Sequence, residues 1–182
     1  MTEEITLVKE LQDVLTKERA FRVLISQYKE RLYWHIRKIV ISHDDADDVL
    51  QNTFIKIFRN IDKFKADSKL YSWMYRIATN EAITFINKRA KENNVDIEEW
   101  QQENASSIVN DTNFSGEEIQ LILQKAIATL PQKQQLVFNM KYFDDLKYTE
   151  ISEILETSVG GLKASYHHAV KKIEEYIKSS VD

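Results

Sequence analysis

YTEISEILETSVGGLKASYHHAVKK, residues 148–172, contains two runs of apolar residues at helical spacing, separated by a short polar segment. Steps of three and four residues place side chains on one helix face, which must pack against something. We expect Thr149 to cap the first helix and Ser158 the longer second helix, because hydroxyl oxygens accept hydrogen bonds from free N–H groups. The pattern predicts a helix-turn-helix. The residues expected to pack inward are Ile151, Ile154, Leu155, Leu162, Val170 and Ile173.

The rest of the chain is also patterned for helices. Leu50, Phe54, Ile57 and Ile61 follow one another at three- and four-residue steps. Ser42 precedes two aspartates, which is typical of a helix start. The 182 residues include three Gly and one Pro, the two residue types that interrupt helices. We therefore predict an all-α protein.

The net charge of −4 conceals two segments of opposite charge. Residues 51–91 carry 9 Lys/Arg against 3 Asp/Glu, whereas residues 92–118 carry 8 Asp/Glu and no Lys or Arg. Because the acidic stretch is rich in Asn, Gln and Ser and lacks a clean apolar period, we interpret 94–115 as an extended acidic linker. It would join two small helical domains, 1–93 and 116–182. Composition alone also allows a passive, solvated spacer.

Several classes of protein are disfavoured by the sequence. There is no cysteine, and the four histidines form no two-His helical metal motif. The carboxylates at 44–48 lack calcium-loop spacing, so we interpret them as a charged helix start. No glycine-rich phosphate loop or nucleophile elbow occurs. We expect no enzyme, no cofactor, no metal site and no small-molecule substrate. With no signal-peptide pattern and no membrane-spanning apolar run, we expect a cytoplasmic location.

Aromatic side chains are interleaved with the cations of residues 58–89. Cations neutralise phosphates, and exposed rings give unpaired bases a surface on which to stack. This combination suits single-stranded or opened DNA. The alternative is that rings such as Trp73 and Phe85 face the core, as aromatic residues of small helical domains commonly do.

The second helix of the helix-turn-helix is basic. Residues 159–172 contain three lysines, two histidines and no acid. A recognition helix presents its N-terminal residues to base edges and its cations to phosphates. A helix with one solvated basic face is the alternative interpretation.

Three stretches, in this order, resemble the extracytoplasmic-function (ECF) group of the sigma-70 family of RNA polymerase sigma factors. DDADDVLQNTFIKIFR (44–59) looks like the family's helix that binds core polymerase. FKADSKLYSWMYRIATN (64–80) is similar to its promoter-melting segment, including a W-x-Y-R-I-A-x-N core. LPQKQQLVF (130–138) and the helix-turn-helix resemble its −35-reading domain. The resemblance covers roughly residues 7–178.

The resemblance implies roles for individual residues. The polymerase-binding surface would consist of Asp47, Asp48, Gln51, Asn52 and Phe54. The −10 element would be recognised and opened by Lys65, Ala66, Asp67, Ser68, Lys69, Trp73, Tyr75, Arg76, Asn80, Lys88 and Arg89. The −35 element would be read by Ser158, Gly160, Lys163, Ser165, Tyr166, His167 and Lys171. Many relatives carry arginine where this chain has Ser165 and His168, so the resemblance does not carry over a −35 base preference.

Partners also follow from the resemblance. It implies core RNA polymerase, promoter DNA and, as is common in the family, an anti-sigma factor that binds between the two domains. The acidic linker would thread toward the polymerase active site and RNA exit path. The expected function is promoter-specific initiation of transcription. The alternative is a stand-alone, dimeric helix-turn-helix regulator with an N-terminal sensing domain, which explains the C-terminal half but not the basic aromatic segment. Such a regulator binds duplex operator alone, whereas a sigma factor needs core polymerase and opens DNA.

Overall fold

The computed structural model describes residues 2–105 and 118–181. Within these ranges every regular element is helical, as the sequence predicted. A single 3-10 turn spans Ile61–Lys63. The α-helices are α1 (Thr2–Gln12), α2 (Lys17–Val40), α3 (His43–Asn60), α4 (Leu70–Glu92), α5 (Ile97–Ala105), α6 (Glu118–Ala128), α7 (Gln132–Tyr142), α8 (Tyr148–Leu155) and α9 (Val159–Val181). None of these described helices combines the length and apolarity required to cross a lipid bilayer.

Helices α2, α3 and α4 form the core of the N-terminal half, each packing against the other two. Their interior is closed to solvent at Leu32, Ile36, Ile57, Met74 and Ile86. Burying a side chain of this size contributes about 1.5–3 kcal/mol, so the three helices are held as a unit. Helix α1 packs along α2 and reaches the 3-10 turn that precedes α4.

The predicted helix starts are confirmed at two positions and wrong at a third. The Ser42 hydroxyl accepts a hydrogen bond from the Asp45 backbone N–H at the start of α3. The Ser158 hydroxyl accepts one from the Gly161 N–H at the start of α9. Helix α8, by contrast, is capped at Lys147 and not at Thr149, because the carboxylate of Glu150 accepts the Lys147 N–H at 2.9 Å.

The C-terminal half is built around the long helix α9, against which α6, α7 and α8 pack. Three residues, 156–158, separate α8 from α9, and Glu156 adopts a positive φ of 52° that ends α8. The predicted helix-turn-helix is therefore present. The C-terminal half also has a buried apolar cluster of its own, which consists of Ala126, Ile127, Leu130, Phe138, Ala169 and Ile173.

Part of the segment interpreted as an extended linker is helical. Helix α5 lies within 94–115 and begins where the Asp96 carboxylate accepts the Glu99 backbone N–H at 2.8 Å. Trp100 is only 6% exposed, and the buried Gln101 amide donates to the Gln135 side chain at 2.9 Å. One buried tryptophan thus holds the first part of the segment against its neighbours. The remainder of the predicted linker, 106–115, lies outside the described residues.

The two halves are packed directly against each other. Helix α8 lies on α4, and α7 on α2. Leu136, Met140, Ile151 and Ile154 of the C-terminal half are buried in the same apolar cluster as the N-terminal core. The candidate DNA-facing helices α4 and α8–α9 are consequently neighbours.

Candidate nucleic-acid interface

The loop before α4 holds five of the −10 candidates together at the surface. Lys65, Ala66, Asp67 and Lys69 are exposed, and Ser68 is partly exposed. Ala66 adopts a positive φ of 57°, in the left-handed region that few side chains favour. The loop is therefore held in a defined conformation and presents its polar groups outward.

Two aromatic candidates on α4 are less accessible than predicted. Trp73 is partly buried, with its ring centroid 5.3 Å from that of Phe64. Tyr75 has no exposed surface, because its ring lies 4.6 Å from that of His35 in α2. Its hydroxyl accepts a hydrogen bond from Arg31 at 3.1 Å, and burial raises its pKa. The expectation that Tyr75 contacts DNA does not fit this arrangement of the chain.

The other α4 candidates are spread along the helix. Asn80, Lys88 and Arg89 are exposed. Lys88 follows Lys69 by 19 residues, a separation of roughly 28 Å at the α-helical rise. Arg89 instead pairs with Asp45 at the start of α3, at 3.3 Å. The structure thus does not bring Lys88 and Arg89 together with the loop.

The basic face of α4 is occupied by acidic residues of α8. The Lys69 ammonium lies 2.8 Å from a carboxylate oxygen of Glu150. The Arg76 guanidinium donates to the Glu153 backbone carbonyl at 3.0 Å and to the Glu156 carboxylate at 3.2 Å. Carboxylate and carbonyl oxygens are hydrogen-bond acceptors for lysine and arginine, as phosphate oxygens are in protein–DNA complexes.

Glu150 is the most strongly perturbed carboxylate of this contact. Its partial burial works to raise its pKa, but hydrogen bonds from Lys69, Tyr71 and the Lys147 backbone N–H outweigh burial and lower the pKa to about 2. The same pairing with Glu150 raises the pKa of Lys69. Glu150 therefore stays ionised while it faces the loop.

A second polar contact joins the halves beside the first. Asp144, in the turn after α7, accepts a hydrogen bond from His35 at 3.0 Å and is paired with Lys38. Burial works to raise the pKa of Asp144, but the hydrogen bonds and charges of His35 and Lys38 outweigh it and lower the pKa below the ordinary value. The other ring nitrogen of His35, Nε2, is hydrogen-bonded to the Thr79 hydroxyl of α4 at 2.8 Å. The contact therefore connects α2, α4 and the C-terminal half.

The polymerase-binding candidates lie on α3, away from α8. Asp47, Asp48, Gln51 and Asn52 are exposed, whereas Phe54 is only 9% exposed. Phe54 lines a shallow apolar cavity of about 470 Å³ together with Phe21, Ile25, Ile55 and Phe58. Gln51 also lines this apolar groove, which the sequence did not indicate.

Helix α9, the candidate recognition helix, presents a basic face. Lys163, His167 and Lys171 recur every four residues and are exposed. Gly160 is exposed, and a Cβ added there would meet no atom within 4 Å, so a DNA backbone has room to approach. Ser158 is exposed and Ser165 partly exposed. The Tyr166 ring turns inward and stacks on Phe138, with centroids 5.8 Å apart.

Sequence reasoning missed the acidic partners of α4. Glu150 and Glu153 of α8 and its C-cap residue Glu156 follow one another at three-residue steps. Acidic residues at this spacing, opposite in charge to the basic segment 51–91, could have indicated that this stretch pairs with α4. Asp144 gave no such signal, because it pairs with residues more than 100 positions away.

Comparison with known proteins places these surfaces in a family. Sigma-70 region 2 matches residues 24–92, and Sigma-70, region 4 matches residues 120–173. The ECF RNA polymerase sigma factor SigW of Bacillus subtilis (strain 168) is 28% identical over 184 residues, covering 96% of this chain and 98% of that protein. The ECF RNA polymerase sigma-E factor of Escherichia coli (strain K12) is 29% identical over 189 residues, covering 98% and 97%.

Two solved structures share the fold. CnrH, in complex with the cytosolic domain of CnrY, matches with a TM-score of 0.69 and 18% identity over 97% of each chain. The sigma factor RpoE, in complex with the anti-sigma factor NepR from Bartonella quintana, matches with a TM-score of 0.66 and 20% identity over 87% of this chain and 96% of that one. Both sigma-70 regions occur in the expected order, and relatives match along nearly the whole chain. This chain therefore belongs to the sigma-70 family and is an ECF sigma factor.

Proposed function

We propose that this ECF sigma factor directs core RNA polymerase to specific promoters and initiates DNA-templated transcription. The observation that carries the proposal is the presence of both sigma-70 regions in one chain, each with an exposed candidate surface for its task. The family consists of transcription initiation factors, and we assign the chain no catalytic activity of its own. We expect it to act in the cytoplasm, where polymerase and promoters are found.

We assign the tasks to three parts of the chain. Residues 1–93 bind polymerase through the exposed polar residues of α3 and its apolar groove, and open the −10 element with the loop before α4. Residues 116–182 read the −35 element with α9. Residues 94–115 connect the two, and their acidic character suits occupation of basic polymerase channels that nucleic acid later takes.

The contact between α4 and α8 means that promoter recognition requires the halves to separate. The −35 and −10 elements are named for positions about 25 base pairs apart, and this separation corresponds to roughly 85 Å of duplex at 3.4 Å per base pair. A chain whose −10 helix touches its −35 domain cannot reach both elements. Separation also frees Lys69 and Arg76 from Glu150 and Glu156 for contact with phosphates.

We further propose an anti-sigma factor as a partner. Support comes from the solved complex of RpoE with the anti-sigma factor NepR, whose sigma chain shares this fold. Between α2 and the α6–α7 region this chain has a cleft of about 820 Å³. Trp34, Tyr142 and Phe143 line the cleft and are 45%, 57% and 39% exposed. Exposed aromatic residues of this kind are typical of protein-binding surfaces.

The direct test is transcription from a promoter library by core RNA polymerase, with and without this protein. We expect transcripts that require the protein and start downstream of two elements at fixed spacing. A variant of the α3 surface, Asp48→Arg with Gln51→Arg, should abolish them without unfolding the chain, because both side chains are exposed.

The opposite result has a clear meaning. If the protein gives no new transcripts but binds duplex DNA tightly without polymerase, the chain is a stand-alone helix-turn-helix regulator, and the proposed function is wrong.

A further inference from the structure

We propose that α1 is a positioning element for the promoter-facing loop, residues 64–69, and that Gln12 and Glu4 are its positioning residues. The proposal rests on the proposed function of this loop at the −10 element. Helix α1 precedes the region 2 match, which begins at residue 24. Nothing in the sequence marked it for a role beyond packing.

Gln12 fixes the entry to the loop. Its side-chain Nε2 donates to the backbone carbonyl of Ile61 at 3.1 Å and to that of Phe64 at 2.8 Å. These two carbonyls lie at the start and the end of the segment formed by the 3-10 turn and its C-cap. One amide thereby sets the direction in which the backbone enters the loop.

Glu4 fixes the exit from the loop. The first residue of α4, Leu70, donates its backbone N–H to the Glu4 carboxylate at 2.7 Å, across 66 residues of sequence. Lys69, at the N-cap position, makes no side-chain capping hydrogen bond. The first turn of α4 is thus capped by α1 instead of by its own N-cap side chain.

Helix α1 is itself anchored, so it can act as a brace. Leu11 is fully buried and Val8 is 8% exposed. The 3-10 turn before the loop is also tied to α2, because Lys17, the first residue of that helix, pairs with Asp62 at 2.8 Å. The loop is therefore tied down at both ends, while its middle, including Ala66 in its left-handed conformation, is exposed.

A pre-set loop conformation matters because binding then does not have to order it. A loop that must be ordered on binding loses affinity for every element it reads, and a loosely held one also discriminates poorly between bases. Loss of the Gln12 contacts should therefore affect recognition of the −10 element and leave recognition of the −35 element unchanged. A general loss of folding or of polymerase binding would affect both equally.

The test measures selectivity at each element separately. A promoter that the wild-type holoenzyme selects is compared with two copies, one with its −10 element replaced and one with its −35 element replaced. For Gln12→Ala we expect the −10 selectivity ratio to fall about 5- to 10-fold, the size of effect that two lost hydrogen bonds produce. The −35 ratio should stay within about twofold of the wild-type value.

Glu4 supplies a second pair of variants and Glu3 a matched control. Glu4→Ala removes the cap and should lower −10 selectivity, whereas Glu4→Gln keeps an oxygen acceptor and should retain it. Glu3→Ala changes an exposed residue of the same helix and should have no effect. If Gln12→Ala does not fold, the two Glu4 variants decide the question.

Two results would overturn the proposal. One is an equal fall of both selectivity ratios, and the other is unchanged −10 selectivity in both Gln12→Ala and Glu4→Ala. A wild-type protein that gives no promoter-specific transcripts is a separate outcome, because it shows that the proposed function itself is wrong.

Discussion

At Glu150 three donors converge on one carboxylate: the Lys69 ammonium, the Tyr71 hydroxyl and the Lys147 backbone N–H. The residue thus has a local task, capping α8, and a long-range task, holding α8 against α4. In the promoter complex proposed above, phosphate would replace Glu150 as the partner of Lys69. Its charge is therefore expected to matter both for stability and for the contact between the halves.

The charge of Glu150 should produce a specific pH dependence of stability. Its pKa in the folded chain is about 2, against an ordinary value of 4.5. The stabilisation is therefore fully present above pH 4.5 and is lost as the pH falls toward 2. We expect Glu150→Gln to have a lower Tm than the wild type at pH 7, and the difference to close between pH 4.5 and 2.

Glu174→Gln, at an exposed position of α9, is the matched control and should show no such pH-dependent gap. Thermal unfolding followed by circular dichroism over pH 2–8 gives the measurement. A Tm difference for Glu150→Gln that is constant over this range would contradict the assignment of the effect to its ionised carboxylate.

Among the helices, α5 is of interest for its stability and α9 for its charge. Helix α5 is short, and a nine-residue helix has little stability of its own in water, so it depends on the burial of Trp100. Helix α9 is long, and its exposed lysines are free to meet phosphates. Both helices are held by packing, but the function we propose for α9 depends on its exposed charges.

Removal of the Trp100 side chain tests the packing of α5. We expect Trp100→Ala to lower the free energy of unfolding by about 3 kcal/mol, because a buried indole is replaced by a cavity. The exposed neighbour Gln102→Ala should change it by less than about 0.5 kcal/mol. Urea unfolding measures both. Equal, small effects would show that α5 is not held by Trp100.

The role of α9 is tested by the salt dependence of promoter binding. If Lys171 neutralises a phosphate, Lys171→Ala should reduce the slope of log affinity against log salt concentration by about 0.9 for the holoenzyme. Lys178→Ala, exposed near the far end of the same helix, should leave the slope unchanged. A reduction of equal size for both lysines would indicate a diffuse charge effect and not a contact made by Lys171.

On the scale of the whole molecule, local features could be predicted and long-range ones could not. Ser42 and Ser158 act within four residues of their own position, so the sequence predicted their helices correctly. Thr149 is not the cap, because α8 already begins at Tyr148 and Glu150 accepts the backbone N–H of the N-cap residue Lys147. The burial of Tyr75 and the pairing of Lys69 with Glu150 depend on residues that are distant in sequence, and helical spacing alone does not indicate them.

The same distinction between local and long-range features applies to the candidate nucleic-acid interface. The residue types and their order along the chain were sufficient to predict a DNA-facing loop and a recognition helix. They did not show that α8 covers the basic face of α4, since that depends on how the two halves pack. From this contact we infer that one surface of α4 contacts α8 in the free chain and promoter DNA in the transcribing complex.

Energy transfer between two dyes, one on each half, measures whether α4 and the C-terminal half separate. The chain has no cysteine, so Lys91→Cys on α4 and Lys172→Cys on α9, both exposed, provide unique labelling sites. A compact chain of this length has a radius of gyration of roughly 16 Å, which keeps the dyes within range of transfer. We predict high transfer in the free protein and a large loss in the complex with polymerase and promoter. Unchanged transfer in a complex that is actively transcribing would show that the halves stay together and that α4 does not exchange α8 for promoter DNA.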